Sequence, residues 1–115
     1  MSDQITRVLD RSVMTALIGD DQELARKFEL EFLKQAKESL KKLTEYFNEN
    51  NYALLREEAH FLKTSAKAVG AHVTAELLQS LEHISEENDR AKAKQLIIQV
   101  SQAIKQVYGV IINES

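Results

Sequence analysis

The scarcity of residues that interrupt helices is the feature that most constrains this fold. The chain has 115 residues, no proline, and glycine only at positions 19, 70 and 109. Apolar residues recur at helical spacing along almost the whole length, and the period-two runs of Val, Ile and Thr that indicate strands are missing. No segment is of low complexity, and no repeat with a period of roughly 20–50 residues is evident. The pattern therefore predicts an all-α protein.

The spacing of apolar residues, together with capping residues, divides the chain into five helices. The first is short, ends near Gly19, and has the apolar positions Ile5, Val8, Leu9, Val13, Ala16 and Leu17. The second is long and begins at Asp20 or Asp21, either of which is a suitable cap. Its apolar stripe, which we expect in the core, consists of Leu24, Phe28, Phe32, Ala36, Leu40, Leu43 and Phe47.

Two further helices follow over about residues 51–69 and 71–86, and a last helix follows Asp89, with apolar positions from Ala93 to Ile111. Short connections between long amphipathic helices favour antiparallel neighbours. We therefore predict an up-down antiparallel four-helix bundle with a short additional N-terminal helix. The length suits one core, so residues 1–115 are expected to form a single domain.

Composition excludes several classes of function. The net charge of −3 gives no support for nucleic-acid binding, and the absence of cysteine excludes disulfides and thiolate chemistry. No apolar run approaches the roughly 18 residues of a membrane span, and the first residues do not begin a signal peptide. We expect a cytoplasmic protein with no membrane or nucleic-acid partner.

The stretch Arg56–Gly70 carries the most informative arrangement of side chains. At about 100° per residue, one side of this helix is apolar, and it is formed by Leu55, Ala59, Leu62, Ala66 and Val69. The opposite side is a solvated stripe with His60 near its middle, and its other members are Arg56, Lys63, Thr64 and Lys67. A titratable imidazole is therefore predicted among three cations.

Several roles for His60 are disfavoured by what the chain lacks. No glycine-rich turn is present to form an oxyanion hole or to hold the phosphates of a nucleotide. The three histidines do not form a His-Glu-x-x-His pair, so a metal site on this chain is not indicated. A different chemistry fits better, that of a nucleophile that carries a phosphoryl group between two partners.

The neighbours of His60 suit such a carrier. A phosphoryl group brings close to two negative charges, and Lys63, Lys67 and Arg56 lie on the same face to balance them. Thr64 is small enough to leave the ring accessible. Helices that are antiparallel about Gly70 also bring Gln79 and Glu82 near the height of His60. Either side chain could accept a hydrogen bond from one ring nitrogen and leave the other available.

The same residues carry a family resemblance. The segments concerned are Ala59-His60-Phe61-Leu62-Lys63-Thr64-Ser65-Ala66, Val69-Gly70-Ala71 and Leu77-Leu78-Gln79-Ser80-Leu81-Glu82. Together they resemble the signature of histidine phosphotransfer (Hpt) domains, and the resemblance covers most of the chain. It implies a four-helix bundle with His60 as phosphoacceptor, Lys63 as supporting cation and Gly70 at the helix end. Two departures are Thr64 in place of the commonest glycine, and an unusual start to the fourth helix, residues 71–74.

The resemblance implies a phosphorelay carrier rather than an enzyme. The partners would be receiver domains of response regulators and of hybrid histidine kinases, whose aspartates exchange phosphate with His60. No cofactor is expected on this chain, and Mg²⁺ is expected on the partner. A monomer is expected, with the receiver docked across the second and third helices on a patch that includes Leu30 or Leu33.

Two alternatives stay open at this point. A helical adaptor would bind a partner through the same face without phosphorylation, and a phosphohistidine phosphatase or kinase would require a nucleotide or metal site. The direction of phosphate flow and the identity of both partners are not set by the sequence. The initial methionine and the single-domain length favour a free-standing carrier over a piece of a larger kinase.

Overall fold

Helices account for nearly all of the chain that the structure describes. The computed structural model describes residues 7–113, and no strand occurs among them. Five helices lie entirely within these residues: α1 (Arg11–Ile18), α2 (Gln22–Asn48), α3 (Tyr52–Val69), α4 (His72–Glu87) and α5 (Arg90–Asn113). The predicted all-α class is confirmed.

The four long helices form a closed bundle. Each of α2, α3 and α4 packs on the helix that follows it, and α5 packs back on α2. The connections are two or three residues long, residues 49–51, 70–71 and 88–89, so consecutive helices run antiparallel. The short α1 lies against α2 and α3. The predicted four-helix bundle with an additional N-terminal helix is therefore confirmed.

Polar side chains and left-handed residues define the helix ends. Asp21 accepts a hydrogen bond of 3.0 Å from the backbone N–H of Leu24, which fixes the start of α2. Asn51 caps α3 in the same way, with 3.1 Å to the N–H of Leu54. The chain leaves α4 through Asn88, whose φ is 55°. Of the two candidates for the cap of α2, Asp21 is the residue used.

Gly70 ends α3 and also holds the N-terminal segment. Its φ of 82° is left-handed, a conformation that favours glycine. Its carbonyl accepts a 2.8 Å hydrogen bond from the N–H of Asp10. A Cβ at this position would lie 2.1 Å from the Asp10 carbonyl oxygen. Glycine is therefore required both by the turn and by the close approach of the backbone.

The core is built where the apolar stripes of the long helices meet. Its largest completely buried side chains are Leu43, Leu55, Leu62, Leu78, Leu81 and Ile111. The stripe predicted for α3 is buried throughout, as are Phe32, Ala36, Leu43 and Phe47 of the stripe predicted for α2. Because the buried stripe of α3 is fixed against this core, its opposite side must face outward.

The first predicted helix is wrong in two respects. The helical run is interrupted at Leu9 and Asp10, where Asp10 accepts from the N–H of Ser12 and starts a new helix. This restart changes the direction of the apolar stripe, so Met14 is buried while Leu17 is 66% exposed. Ile5 lies outside the described residues.

Phe28 is a second correction to the predicted core. Its side chain is 44% exposed, because α1 leaves an open groove between α1, α2 and α3, and Phe28 forms part of its wall. An ion pair between Arg11 and the buried Glu29 holds α1 in this place, with 2.9 Å between Nε and Oε2. The partial exposure of Phe28 therefore follows from how little of α2 the short helix covers.

Candidate functional site

His60 projects from the outer side of α3. The residues at adjacent positions on the buried stripe, Ala59 and Leu62, are completely covered, whereas the imidazole is 64% exposed. An approaching protein can therefore reach the ring without any movement of the core. The predicted exposure of His60 is confirmed.

One nitrogen of the ring is held by α4. His60 Nδ1 lies 3.1 Å from Oε1 of Glu82, as the antiparallel arrangement about Gly70 predicts. A carboxylate only accepts hydrogen bonds, so this contact places the ring proton on Nδ1. Nε2 then has no proton, and its lone pair is available for reaction. Of the two residues predicted near the ring, Glu82 is the one in contact.

Lys63 lies between α3 and α4 and completes a chain of polar contacts. Its Nζ is 2.7 Å from Oε2 of Glu82 as an ion pair. The same ammonium donates a hydrogen bond of 2.7 Å to Oε1 of Gln79. The order along this polar chain is Gln79, Lys63, Glu82, His60. Gln79 thus supports the site through Lys63 and not by contact with the imidazole.

The predicted place of Lys63 on the solvated stripe is wrong. Its side chain is only 11% exposed. At about 100° per residue, Lys63 lies between the buried stripe and His60, and α4 covers that part of α3. Its angular position, next to the buried stripe, is consistent with partial burial. The sequence pattern did not show which neighbouring helix would cover it.

Glu82 is ionised by these contacts in spite of its burial. Burial alone raises the pKa of this carboxyl, because it disfavours the charged form. The hydrogen bonds and positive charge of Lys63 and His60 act in the opposite direction and prevail, so the pKa of Glu82 is lowered from its ordinary value. At neutral pH the imidazole therefore faces a carboxylate.

The other predicted site residues do not touch the imidazole. Arg56 Nη1 lies 3.4 Å from Oε2 of Glu86, and both side chains are about half exposed. Thr64 donates its hydroxyl to the His60 carbonyl oxygen at 3.1 Å. Lys67 is exposed, and within residues 7–113 its side chain makes no ion pair or hydrogen bond. The three predicted cations thus have three different environments.

An apolar groove lies between α1, α2 and α3, and its wall on α3 begins at Ser65, five residues after His60. Its volume is about 230 Å³, and its walls include Leu17, Phe28, Ala68 and Val69, with Glu31 and Gln35 as polar members. Phe61, which is 50% exposed, precedes Ser65 of the groove wall by one helical turn. Its ring therefore extends this apolar surface toward His60.

The predicted docking residues Leu30 and Leu33 lie elsewhere. Arg26 donates to the carbonyl oxygen of Ile111 in α5, and Leu30 and Leu33 follow Arg26 by one and two turns on the same face of α2. Leu30 is 42% exposed but lies toward α5, and Leu33 is half-buried. Helical spacing did not reveal this, because it does not say which face of α2 meets α3.

The remaining histidines belong to other contacts. His72 Nε2 lies 3.0 Å from Oδ2 of Asp10, which ties the start of α4 to the N-terminal segment. His83 is 73% exposed and 3.9 Å from Glu87. Among residues 7–113, no three His, Cys, Asp or Glu side chains are grouped as metal ligands. In the same part of the chain, no helix is long and apolar enough to cross a membrane.

Comparison with known proteins gives a consistent pattern of similarity. The model of the Hpt domain family matches residues 30–109, which include His60 and the whole of α3 and α4. No curated protein matches the sequence significantly. Among solved structures, histidine-containing phosphotransfer protein B (HptB) from Pseudomonas aeruginosa PAO1 is similar, with a TM-score of 0.85 and 23% identity over 92% of each chain. That likeness shows a shared fold.

Proposed function

Because the chain belongs to the Hpt domain family, whose model matches residues 30–109, we propose that it carries a phosphoryl group on His60 in a two-component phosphorelay. Its donors and acceptors are the aspartates of receiver domains, on a hybrid sensor kinase and on a response regulator. The observation that carries the proposal is the exposed imidazole with Nδ1 held by Glu82 at 3.1 Å. We propose that residues 1–115 constitute one such domain.

The transfer step uses the lone pair of Nε2. This nitrogen attacks the phosphorus of a receiver aspartyl phosphate, and a P–N bond forms as the P–O bond to the aspartate breaks. The bonding electrons leave with the aspartate as a carboxylate. The ring keeps its Nδ1–H and becomes positively charged. The Glu82 carboxylate stabilises that charge through the hydrogen bond it already makes, and the reverse step restores the neutral ring.

This chain contributes position and charge to the reaction. The imidazole is fixed in orientation before a partner arrives, which lowers the entropic cost of transfer. The receiver domain supplies the Mg²⁺ and the acidic pocket that activate its own aspartyl phosphate. The carrier needs no cofactor of its own and is not an independent enzyme. We place it in the cytoplasm as a monomer, with no membrane or nucleic-acid partner.

The receiver domain docks over His60 and the apolar groove. Support comes from the large apolar side chains that remain exposed there, Phe61 at 50%, Phe28 at 44% and Leu17 at 66%. Contact with a partner would remove them from water, and such exposed apolar patches are typical of protein interaction sites. The docking surface therefore involves α1 as well as α2 and α3.

Phosphotransfer from a purified receiver domain tests this function. A receiver charged with acetyl phosphate should pass phosphate to the protein, and the product should be labile in acid, stable in alkali and absent in His60→Gln. A protein that binds receivers through the groove without accepting phosphate would be an adaptor. Measurable affinity for ATP alone would instead indicate an enzyme.

A further inference from the structure

Positive and negative charges are unevenly divided among the long helices. α5 contains one arginine and three lysines and no acidic residue, whereas α4 contains four glutamates and neither lysine nor arginine. The chain as a whole has a net charge of −3. A partner that binds the side of the bundle formed by α5 therefore meets positive charge on a protein that is acidic overall.

Contacts near both ends of α2 and α5 define how these two helices lie side by side. Arg26, near the start of α2, donates a hydrogen bond to the carbonyl oxygen of Ile111. At the other end, Arg90 donates to the Phe47 carbonyl oxygen at 2.9 Å, and its guanidinium lies 4.0 Å from the centre of the Phe47 ring. The two contacts are separated by the same number of residues on each antiparallel helix. Residues equally distant from them along the two helices therefore lie at the same height.

Three large apolar side chains remain exposed where α2 and α5 meet. Tyr108 follows Arg90 by five turns of about 3.6 residues each, so it lies on the line of α5 that meets α2, and it is 55% exposed. Leu30 lies one turn after Arg26 on α2, at about the height of Tyr108, and is 42% exposed. Ile98 is 49% exposed and lies about 15 Å further along α5, at 1.5 Å per residue. The apolar contacts available to a partner are therefore spread along the two helices.

Four lysines accompany these apolar side chains, Lys37 and Lys41 on α2 and Lys94 and Lys105 on α5. Each is exposed and lies within about 60° of the line along which its helix meets the other. Within residues 7–113, none of the four forms an ion pair. The exposed glutamates of α2 lie about 100° or more from that line, except Glu23 in the first turn. We call the four lysines together with Leu30, Ile98 and Tyr108 the α2/α5 surface.

We propose that the α2/α5 surface binds an acidic amphipathic helix of a partner protein. A helix of about three turns spans the roughly 15 Å between Tyr108 and Ile98, and apolar residues along one of its sides cover these two side chains and Leu30. Acidic residues on its two flanks face the lysines of α2 on one side and those of α5 on the other. Such charge complementarity speeds association and fixes the register of the bound helix.

The α2/α5 surface is separate from the surface proposed for the receiver domain. Phe28 of the apolar groove lies about 160° round α2 from Arg26, which faces α5. The two partners therefore approach the protein from different sides of α2, and binding of the acidic helix does not rest on phosphotransfer to His60.

Other occupants fit the surface less well. In a second copy of this chain, exposed glutamates of α4 are already engaged, Glu76 with Arg7 and Glu86 with Arg56. None of the large apolar side chains exposed within residues 7–113 lies on α4. A membrane or a nucleic acid is much wider than this surface, so it would also approach the acidic parts of a protein whose net charge is −3.

Titration with a synthetic peptide, followed by ¹⁵N NMR of the full chain, tests this proposal. The probe is a helical peptide of about four turns, with leucines at helical spacing along one side and glutamates on both flanks. The amide signals that shift should be those of α2 and α5 along the α2/α5 surface. Lys105→Glu should raise the Kd of the peptide about tenfold, because it places a like charge opposite the glutamates. The matched control is Lys92→Glu, an exposed lysine of the same helix about 160° from the line that meets α2, which should bind as wild type does.

Several results of the titration would overturn the proposal. These are the absence of binding, shifts confined to another side of the bundle, and equal affinities of Lys105→Glu and Lys92→Glu. Equal binding of a peptide of the same composition with its leucines scattered would show attraction by charge alone and would also overturn it. Vesicles that contain phosphatidylserine provide the last arm. Sedimentation of wild type but not of Lys105→Glu with these vesicles would assign the surface to a membrane instead of a protein helix.

Discussion

Oε1 of Glu82 lies 3.1 Å from Nδ1 of His60, and the two residues belong to antiparallel helices that meet at Gly70. The contact orients an exposed nucleophile before any partner binds. It also places a negative charge beside the ring nitrogen that does not react. Transfer of a phosphoryl group to Nε2 makes the ring positive, so the same carboxylate serves both the resting and the charged state.

Replacement of Glu82 should therefore slow phosphotransfer without unfolding the protein. Glu82→Gln keeps a hydrogen-bond acceptor for Nδ1 but removes the charge, and a neutral hydrogen bond is about half as strong as a charged one. We expect the single-turnover rate to fall by about tenfold, equivalent to ~1.4 kcal/mol. Glu86→Gln, a half-exposed carboxylate one turn further along α4, is the control, and equal rates for both variants would remove Glu82 from the mechanism.

Glu82 also makes the stability of the protein depend on pH. Its pKa in the folded protein is lowered from the ordinary 4.5, because the contacts of Lys63 and His60 outweigh burial. The ionised carboxylate therefore contributes stability above about pH 4.5, and this contribution is lost as the pH falls through the lowered pKa. Urea unfolding over a series of acidic pH values should show a steeper loss of stability for wild type than for Glu82→Gln. Parallel curves would contradict this expectation.

Gly70 should be the glycine most sensitive to substitution. Gly70→Ala places a Cβ 2.1 Å from the Asp10 carbonyl oxygen at a φ of 82°. We expect a loss in the free energy of unfolding of about 3 kcal/mol, at the upper end for local backbone strain. Gly19→Ala has no atom within 4 Å of its Cβ, so only the strain of its backbone, with φ 78° and ψ −157°, opposes the substitution, and it should cost about 2 kcal/mol. Urea denaturation of both variants measures the difference, and equal losses would show that the Asp10 contact is unimportant.

The apolar surface beside His60 should determine affinity for the receiver domain. Phe61→Ala removes a half-exposed ring from the proposed docking surface, and we expect the Kd to rise about fivefold or more. The free energy of unfolding should change less than for a core phenylalanine, since Phe61 is already 50% exposed. Leu30→Ala is the matched control, because Leu30 is similarly exposed but lies toward α5. Calorimetric titration with a receiver domain would contradict the proposed docking surface if Leu30→Ala weakened binding more than Phe61→Ala.

Periodicity and capping chemistry predicted most of the fold. The helix starts at Asp21 and Asn51, the end at Gly70 and the buried stripe of α3 all depend on interactions within a few residues, which a sequence displays directly. The break at Asp10 was missed because its side chain caps a new helix where the apolar spacing continues. Because the helix restarts after Asp10, the residues of the first helix that are buried differ from those that the apolar spacing predicted.

The sequence predicted which residues belong to the site more completely than it predicted how they are arranged. Helical angles and a short antiparallel turn fix heights along the bundle, so the sequence identified His60 and placed Gln79 or Glu82 beside it. It left open which of the two contacts the ring. The burial of Lys63 and the direction of Leu30 depend on which helix lies beside each face, and that is a property of the whole bundle. The exposure of Phe28 has the same origin, since it depends on how far α1 extends over α2.

The central claim is that Nε2 of His60 carries the phosphoryl group. Its most direct test is ³¹P and ¹⁵N NMR of the protein after phosphorylation by a charged receiver domain. We predict a single phosphoramidate signal coupled to Nε2 of His60, with a proton on Nδ1, and no such signal in His60→Gln. A phosphoryl group on Nδ1, on another residue, or on none would contradict the account.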